Sequence, residues 1–524
     1  MTEATADLTI AIDVGGTNTD AVCMDTADRI LARHKQPTTA RVDDGLGAAL
    51  QTILDELGDR AGRVGRVMLG TTHATNAILE RRGLARLGVI RIGAPATTEV
   101  PPLTGWPDDL RRAVCADAVI IGGGHLVDGL ELSRLDLAAL DRFIDTVAEQ
   151  ADGFAVTGVF SPAIADHELR VAERIRERVG VDASISVSHE VGSLGLLERE
   201  NATVLNAALR PVAGAVIDAL SSVIEAHGLE VATFFAQNDG TLMALEHASR
   251  FPVLTIGSGP ANSLRGAARL SGESEAIVAD VGGTSTDFGV LAGGFPREST
   301  LATEIGGVRT NFRMPDIHAV ALGGGTIIST VGGRSQLGPR SVGYKITTEA
   351  LCFGGATATL TDAALALGRG SLPGITAPRL DGDRGTAFAA ALEQADQILE
   401  HAVDRVSLGR FDKPLIAVGG GSFLIPEKVP GASRVIHPAD ADVANAVGAA
   451  IAPVSGRAET LASSIDDRRQ AIDRASELAS DRAIQAGARP GSVEIVEIVE
   501  TPLTYLPQPS VRVTVKAAGT LGWL

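Results

Sequence analysis

The stretch "IAIDVGGTNTDAVCMD" at residues 10–25 is echoed by "DVGGTSTD" at residues 280–287, and no other feature constrains the fold as much. Seven of eight positions match (D-V-G-G-T-x-T-D), with Asp13 and Asp280 267 residues apart, about half the chain. Each copy reads as an apolar strand, a Gly-Gly turn and a second strand. The repeat therefore points to an internal duplication, two related α/β lobes facing each other.

The residues in each copy suit one chemistry. Asp13 ends a buried strand, where a carboxylate is costly unless it is paired or lies close to a cation. Gly15 and Gly16 let the backbone turn sharply and present N–H groups. Thr17, Asn18 and Thr19 add side-chain donors, and Asp20 is placed to orient a metal-bound water. The second copy offers Asp280, Gly282, Gly283, Thr284, Ser285, Thr286 and Asp287. Taken singly, either motif is a β-turn with Asx-type hydrogen bonds. Two opposed copies clamp a polyphosphate, with Mg²⁺ shared between Asp13, Asp280 and phosphate oxygens. The glycines lie between two strands and no lysine follows them, which excludes a P-loop and argues against a dinucleotide fingerprint.

Two glycine triplets extend this reading. Gly323, Gly324 and Gly325 in "HAVALGGGTIIS", and Gly419, Gly420, Gly421 and Ser422 in "LIAVGGGSFLIP", each follow an apolar strand. They bring backbone close to a nucleoside, or they are tight strand-to-helix turns. The segment 70–76 joins a strand end to a helix N-terminus, a place that favours an anion or a developing oxyanion. Thr71, Thr72, His73 and Asn76 are its substrate-side candidates; His73 is an acid, base or donor there, or a cap of the loop. Asp316 and His318 stand two apart in an expected strand, on one face. They are a candidate pair for a second divalent metal, or a packed, hydrogen-bonded histidine. His189 and His437 sit at element ends and carry no sharper signal.

Along the chain, strands are expected at 8–14, 20–25, 29–36, 66–70 and 153–160, with helices at 43–57, in "NAILERRG" up to Gly83, and in "DHELRVAERIRERVG". This alternation argues for an α/β fold with a mostly parallel sheet and antiparallel additions. A long helix at 196–228 separates the halves, and strands follow at 231–237 and 251–257. The division is 1–190, 191–456 and a helix-plus-strands extension at 457–524, read as a packing or oligomerisation appendage; a homo-oligomer is expected. Hydrophobic residues make up 45% of the chain, as in a globular protein. With 64 acidic against 46 basic residues, a net charge of −18 and no dense basic run, a nucleic-acid partner is excluded. Three cysteines without CxxC spacing point to a reducing compartment. The N-terminus lacks signal-peptide features, and no apolar run is read as long enough to span a bilayer, so the expected location is cytoplasmic.

The paired hairpins, the later GGGS and the Asn-Ala-Val-Gly-Ala-Ala helix resemble the actin/hexokinase/Hsp70 ATPase architecture. More narrowly, the chain resembles the hydantoinase/oxoprolinase family, HyuA-type subunit. The resemblance rests on "IAIDVGGTNTDAV", "GTTHATNAILERRG", "SVSHEVGSLGLLERENATVLNAAL", "ADVGGTSTDFGVL", "DIHAVALGGGT" and "GGATATLTDAALALG", in the family's order over residues 8 to about 455. It implies two ribonuclease H-like lobes around a nucleotide cleft. It also implies ATP and Mg²⁺ as cofactors, and ATP-dependent opening of a cyclic amide or imide such as a hydantoin, 5-oxoproline or lactam, through phosphorylation of the carbonyl oxygen. A companion HyuB-like subunit belongs to the same expectation. The alternatives are a small-molecule kinase, an ATP-using carboxylase subunit of the same fold, or an ATPase switch. The chain departs from the family at Leu69-Gly70-Thr71-Thr72, where His-Gly-Thr-Thr is common, and at "GPRSVGYKITTEALCFGG", which lacks Gly-Pro-Ala-Cys-Tyr-Gly. Both departures bear on the identity of the substrate.

Overall fold

The sequence repeat is a repeat of strand pairing, register included. In a computed structural model, which describes residues 6–39, 42–126, 129–192, 195–299, 303–312, 314–331, 334–409, 412–462, 467–503 and 510–522, Leu8–Val14 pairs antiparallel with Asn18–Asp25. Ala276–Val281 pairs in the same way with Thr286–Ala292. Asp13 stands opposite Asp20, and Asp280 opposite Asp287. Both turns close with the same bond, Gly15 N–H to the Asn18 carbonyl at 2.9 Å and Gly282 N–H to the Ser285 carbonyl at 2.9 Å. On its other side each first strand has a parallel neighbour, Val64–Thr71 in one lobe and Leu415–Val418 in the other. Residues 1–5, on which the signal-peptide reading rests, and 504–505, the end of an expected tail strand, lie outside the described residues.

The first sheet has nine strands, in the order Glu494–Leu503, Ser510–Gly519, Val454–Ala462, Leu242–Ala244, Ala232–Ala236, Val64–Thr71, Leu8–Val14, Asn18–Asp25, Ile30–Pro37. It therefore draws strands from both sides of the expected division at residue 190 and from the tail. The tail is an integral part of this sheet: Val513, Val515 and Ala517 are fully buried against the helix Arg468–Gln485 and its Ala471, Ala475, Ala479 and Ala483. The second sheet is built around Ala276–Val281, with His318–Val320 added beside Thr286–Ala292.

Two helices lie between these sheets. Ser258–Ser271 packs on both, and Ala444–Ala450 packs on the first. They cross with backbones in contact, because a Cβ on Gly266 would collide with the Ala444 carbonyl and one on Gly448 with the Asn262 carbonyl. A third, parallel sheet, in the order Cys115–Gly122, Leu87–Ala94, Gly153–Gly158, Ile185–Val187, is inserted between strands of the first.

The helix Leu196–Ala226 ties this insertion to the first lobe and continues through Pro211. By length and composition it is apolar enough to cross a bilayer, which the reading of apolar runs did not anticipate. Here its Arg199, Glu200, Asn201 and Asn206 are buried and bonded inside the fold, Arg91 Nε to Glu200 Oε2 at 2.6 Å for example.

Two local expectations are corrected. The strand expected at 251–257 is a 3-10 turn, Pro252–Thr255, since proline has no N–H to donate to a ladder. The helix expected at "NAILERRG" runs over His73–Glu80 and ends at Arg81 in the left-handed region, two residues before Gly83.

Candidate functional site

Asp13 and Asp280 each stand next to last in the first strand of a hairpin, and each has a glycine beside it, Gly70 on Val64–Thr71 and Gly419 just beyond Leu415–Val418. A Cβ on Gly70 would run into the Asp13 carboxylate, and one on Gly419, whose φ is +85, into that of Asp280. Glycine is required at both places for the acids to occupy the strand ends.

The two interlobe helices join the acids. Asn262 Nδ2 and Asn445 Nδ2 donate to the two oxygens of Asp13, each at 3.4 Å. Ser263 Oγ lies within hydrogen-bond reach of both the Asp280 carboxylate and the Asn445 amide oxygen, and its single proton serves one of them at a time. A polar path thus runs Asp13–Asn445–Ser263–Asp280, from one lobe to the other.

Its electrostatics favour a cation. Asp13 is 2% exposed, and burial together with repulsion from Asp20 pushes its carboxyl up to about 6. Burial and the charge of Asp280 push Asp287 up to about 7. Burial raises Asp20 and Asp280 as well, against the opposing pull of Lys35 on both and of Ser263 on Asp280. Lys35 Nζ sits 2.6 Å from Asp20 Oδ1 and 2.9 Å from the Asp442 carbonyl. Among the described residues, four carboxylates thus share one bonded amine, and Asn262 Oδ1 is buried with no hydrogen-bond partner. A hard divalent cation with its water shell suits this oxygen-rich, under-compensated set.

The hairpin turns of the two lobes face each other. The Thr17 methyl lies 3.6 Å from where a Cβ on Gly283 would stand, and Lys35 Cε 3.5 Å from one on Gly420. Gly16 is open, with nothing within 4 Å of such a Cβ. Asn18 and Ser285 are half-buried, and Thr284 is exposed, beside these glycines.

Other expected site residues are placed differently. Gly323, Gly324 and Gly325 are buried, and their N–H groups donate to Thr326 Oγ1 (2.8 Å) and to the Gly282 (3.0 Å) and Gly283 (2.7 Å) carbonyls. This triplet braces the back of the second turn and has no N–H left for a phosphate. Gly419, Gly421 and Ser422 likewise bond to backbone carbonyls, which leaves Gly420 exposed toward Lys35. The buried Thr286 hydroxyl donates to the Leu322 carbonyl at 2.6 Å.

His73 is not brought to the acids. It lines a cavity of about 20 Å³ with Val216, Phe235 and Pro252, on the sheet face that Ile10 and Ile12 cover; Asp13 alternates onto the face of Ala11. Thr71 Oγ1 lies 2.5 Å from His73 Nδ1, and burial lowers the histidine's pKa. Thr72 donates to the Val14 carbonyl at the end of Leu8–Val14, and Asn76 donates to Thr72.

Asp316 lies outside the strand His318–Val320, and its carboxylate is paired with Arg297 at 2.7 Å. Among the described residues, His125, Asp166 and His167 do cluster. However, His167 Nδ1 accepts from Gly124 N–H at 2.9 Å, so Nε2 carries the proton, facing Glu131, and has no lone pair for a metal. The residues that sequence reasoning missed are Lys35, Asn262, Ser263 and Asn445. Only Asn445 lay in a stretch already singled out, the Asn-Ala-Val-Gly-Ala-Ala helix.

The model of the hydantoinase/oxoprolinase N-terminal region matches residues 9–179, and that of hydantoinase/oxoprolinase matches residues 199–373. The caprolactamase subunit alpha of Pseudomonas jessenii is 29% identical over 489 residues, covering 87% of this chain and 67% of that one. The acetophenone carboxylase gamma subunit of Aromatoleum aromaticum is 28% identical over 406 residues, covering 70% and 54%. The crystal structure of the ATP-dependent caprolactamase from Pseudomonas jessenii has the same fold, with a TM-score of 0.79 at 24% identity, covering 98% of this chain and 88% of that one.

Proposed function

Because the chain belongs to the hydantoinase/oxoprolinase family, we propose that it uses ATP to open the ring of a cyclic amide, a lactam, hydantoin or 5-oxoproline. The observation that carries this reading is the pair of buried acids, Asp13 and Asp280, joined across the lobes by Asn445 and Ser263. A relative with the same fold is an ATP-dependent caprolactamase, which supports it.

An amide carbonyl resists attack by water. Once its oxygen has accepted the γ-phosphoryl group and ADP has left, water adds to the carbon, the ring C–N bond breaks as the nitrogen takes up a proton, and a second water hydrolyses the resulting acyl phosphate to carboxylate and phosphate. Phosphoryl transfer asks the protein chiefly for positioning and charge neutralisation. Here Asp13 and Asp280 would hold Mg²⁺ with the nucleotide, and the ion would neutralise charge on the phosphate oxygens. The open turn at Gly16 admits a phosphate close to the backbone. Lys35 opposes the upward push of burial on Asp20 and faces Gly420 of the other lobe. The polar path through the interlobe helices couples occupancy of one acid to the position of the other.

These relatives are an alpha subunit and a gamma subunit, which supports a companion subunit, so the test uses the chain with any subunit that co-purifies. Phosphate release is measured against a panel of cyclic amides in wild type, Asp13→Ala and Asp280→Ala. The expected result is amide-dependent release that falls at least about 100-fold in either variant. Release that ignores every amide, or that survives both substitutions, overturns the reading. The carboxylase relative favours a second reading: phosphate release that needs bicarbonate and a ketone, and no amide, would select it.

A further inference from the structure

The third sheet carries chemistry that the acid pair leaves unused. Ligands of parallel α/β sheets sit at the carboxyl ends of the strands. At that edge Glu168, 0% exposed, accepts hydrogen bonds from Gly158 N–H (2.6 Å), Ser188 Oγ (2.5 Å), His189 N–H (3.0 Å) and His189 Nδ1 (2.6 Å). Burial pushes its carboxyl up, but the bonds from His189 and Ser188 outweigh burial and hold it below the usual range. Glu168 is therefore an ionised acceptor, so His189 Nδ1 carries the proton and Nε2 bears the lone pair. No group among the described residues bonds Nε2, and the ring is 18% exposed.

The dyad is electrically balanced. Arg199, also 0% exposed, donates through Nε to Ser188 Oγ at 2.9 Å, which places its positive charge one hydroxyl away from Glu168. An added anion or cation would stand uncompensated beside this pair. A neutral ligand with an N–H to donate meets no such penalty. The turn carrying His189 also faces the second lobe. A Cβ on Gly192 would touch the Asn311 amide, and Asn201 Nδ2 donates to the Arg309 carbonyl at 2.8 Å. Three residues beyond Asn311, the Met314 methyl rests on Gly257, which precedes the helix bearing Asn262 and Ser263.

We propose that His189 Nε2 receives the ring N–H of a neutral cyclic amide, so that the substrate sits at the carboxyl edge of the third sheet where it meets the second lobe. Glu168 is the positioning residue that fixes the tautomer. This deepens the proposed function and rests on it.

The test compares a lactam with its N-methyl analogue, which has no N–H to give. A site built around that bond rejects the analogue strongly, so wild type prefers the lactam by at least about 100-fold in kcat/KM. His189→Asn keeps a donor toward Glu168 at the Nδ1 position but has no acceptor at Nε2. It brings the ratio down at least about tenfold and leaves the KM for ATP unchanged. A folded His189→Asn enzyme with the wild-type ratio overturns the proposal while amide-dependent turnover still stands. Wild type that turns over no cyclic amide overturns the proposed function, and this inference with it. Should His189→Asn fail to fold, wild type alone decides. Diethyl pyrocarbonate acylates unprotonated, accessible imidazole; the lactam shields His189 from it, and the N-methyl lactam does not. Equal shielding by both, or by neither, overturns the proposal.

Discussion

Burial and Asp20 push the Asp13 carboxyl up to about 6, against a value of 3.8 in the unfolded chain. Between these two values the native state holds a proton that the unfolded state has lost. Stability without nucleotide therefore falls as pH rises from about 4 to about 6, and this contribution is flat above that window. Asp13→Asn removes the penalty. It is expected to stabilise the nucleotide-free chain at pH 7.5 by on the order of 1–3 kcal/mol, with little gain at pH 4, while abolishing the thermal shift given by Mg·ATP. Melting curves at the two pH values check this; a variant less stable than wild type at pH 7.5 contradicts it. The acids themselves were legible in the sequence, because each hairpin carries its second carboxylate seven residues on, in register. Asn262, Ser263 and Asn445 were not. They are short polar residues in helices of small residues, and nothing local marks which carboxylate each will meet, whether 17 positions on, as Ser263 meets Asp280, or 249 and 432 positions off, as Asn262 and Asn445 meet Asp13.

At the scale of elements, glycine proved ambiguous. A triplet after a strand signals close approach of something, and for Gly323–Gly325 that something is the backbone of the second hairpin turn. Sequence cannot distinguish that neighbour from a nucleotide, since both demand a missing Cβ. The apolar run 251–257 failed for a related reason: burial alone does not separate a strand from a turn. The interlobe helices offer a contrast that urea denaturation can measure. Gly448→Ala places a methyl against the Asn262 carbonyl and is expected to cost about 1–3 kcal/mol and to weaken nucleotide binding. Gly214→Ala lies within Leu196–Ala226 with nothing within 4 Å of its new methyl, and is expected to stabilise by about 0.5–1 kcal/mol. Equal effects of the two changes would mean that the crossing is not tight.

For the whole molecule, the duplication was legible and the ownership of the strands was not. The tail looked like an appendage because it carries no chemical motif, yet Ser510–Gly519 lies inside the nine-stranded sheet, between Glu494–Leu503 and Val454–Ala462. A chain cut after Ala462 uncovers the buried face of that sheet. It is expected to lose soluble yield and cooperative melting, and wild-type melting of the truncated chain would show that the tail is dispensable. The same strand order sets a timetable for synthesis. The six strands from Ile30–Pro37 to Leu242–Ala244 leave the ribosome first, and the next strand in their sheet, Val454–Ala462, emerges only after the entire second sheet. At about 5–20 residues per second, that leaves an open sheet edge for roughly ten to forty seconds on every nascent chain. Through that interval Leu242–Ala244 is free to pair with a neighbouring polypeptide, so crowded translation is where this fold is most exposed to misassembly.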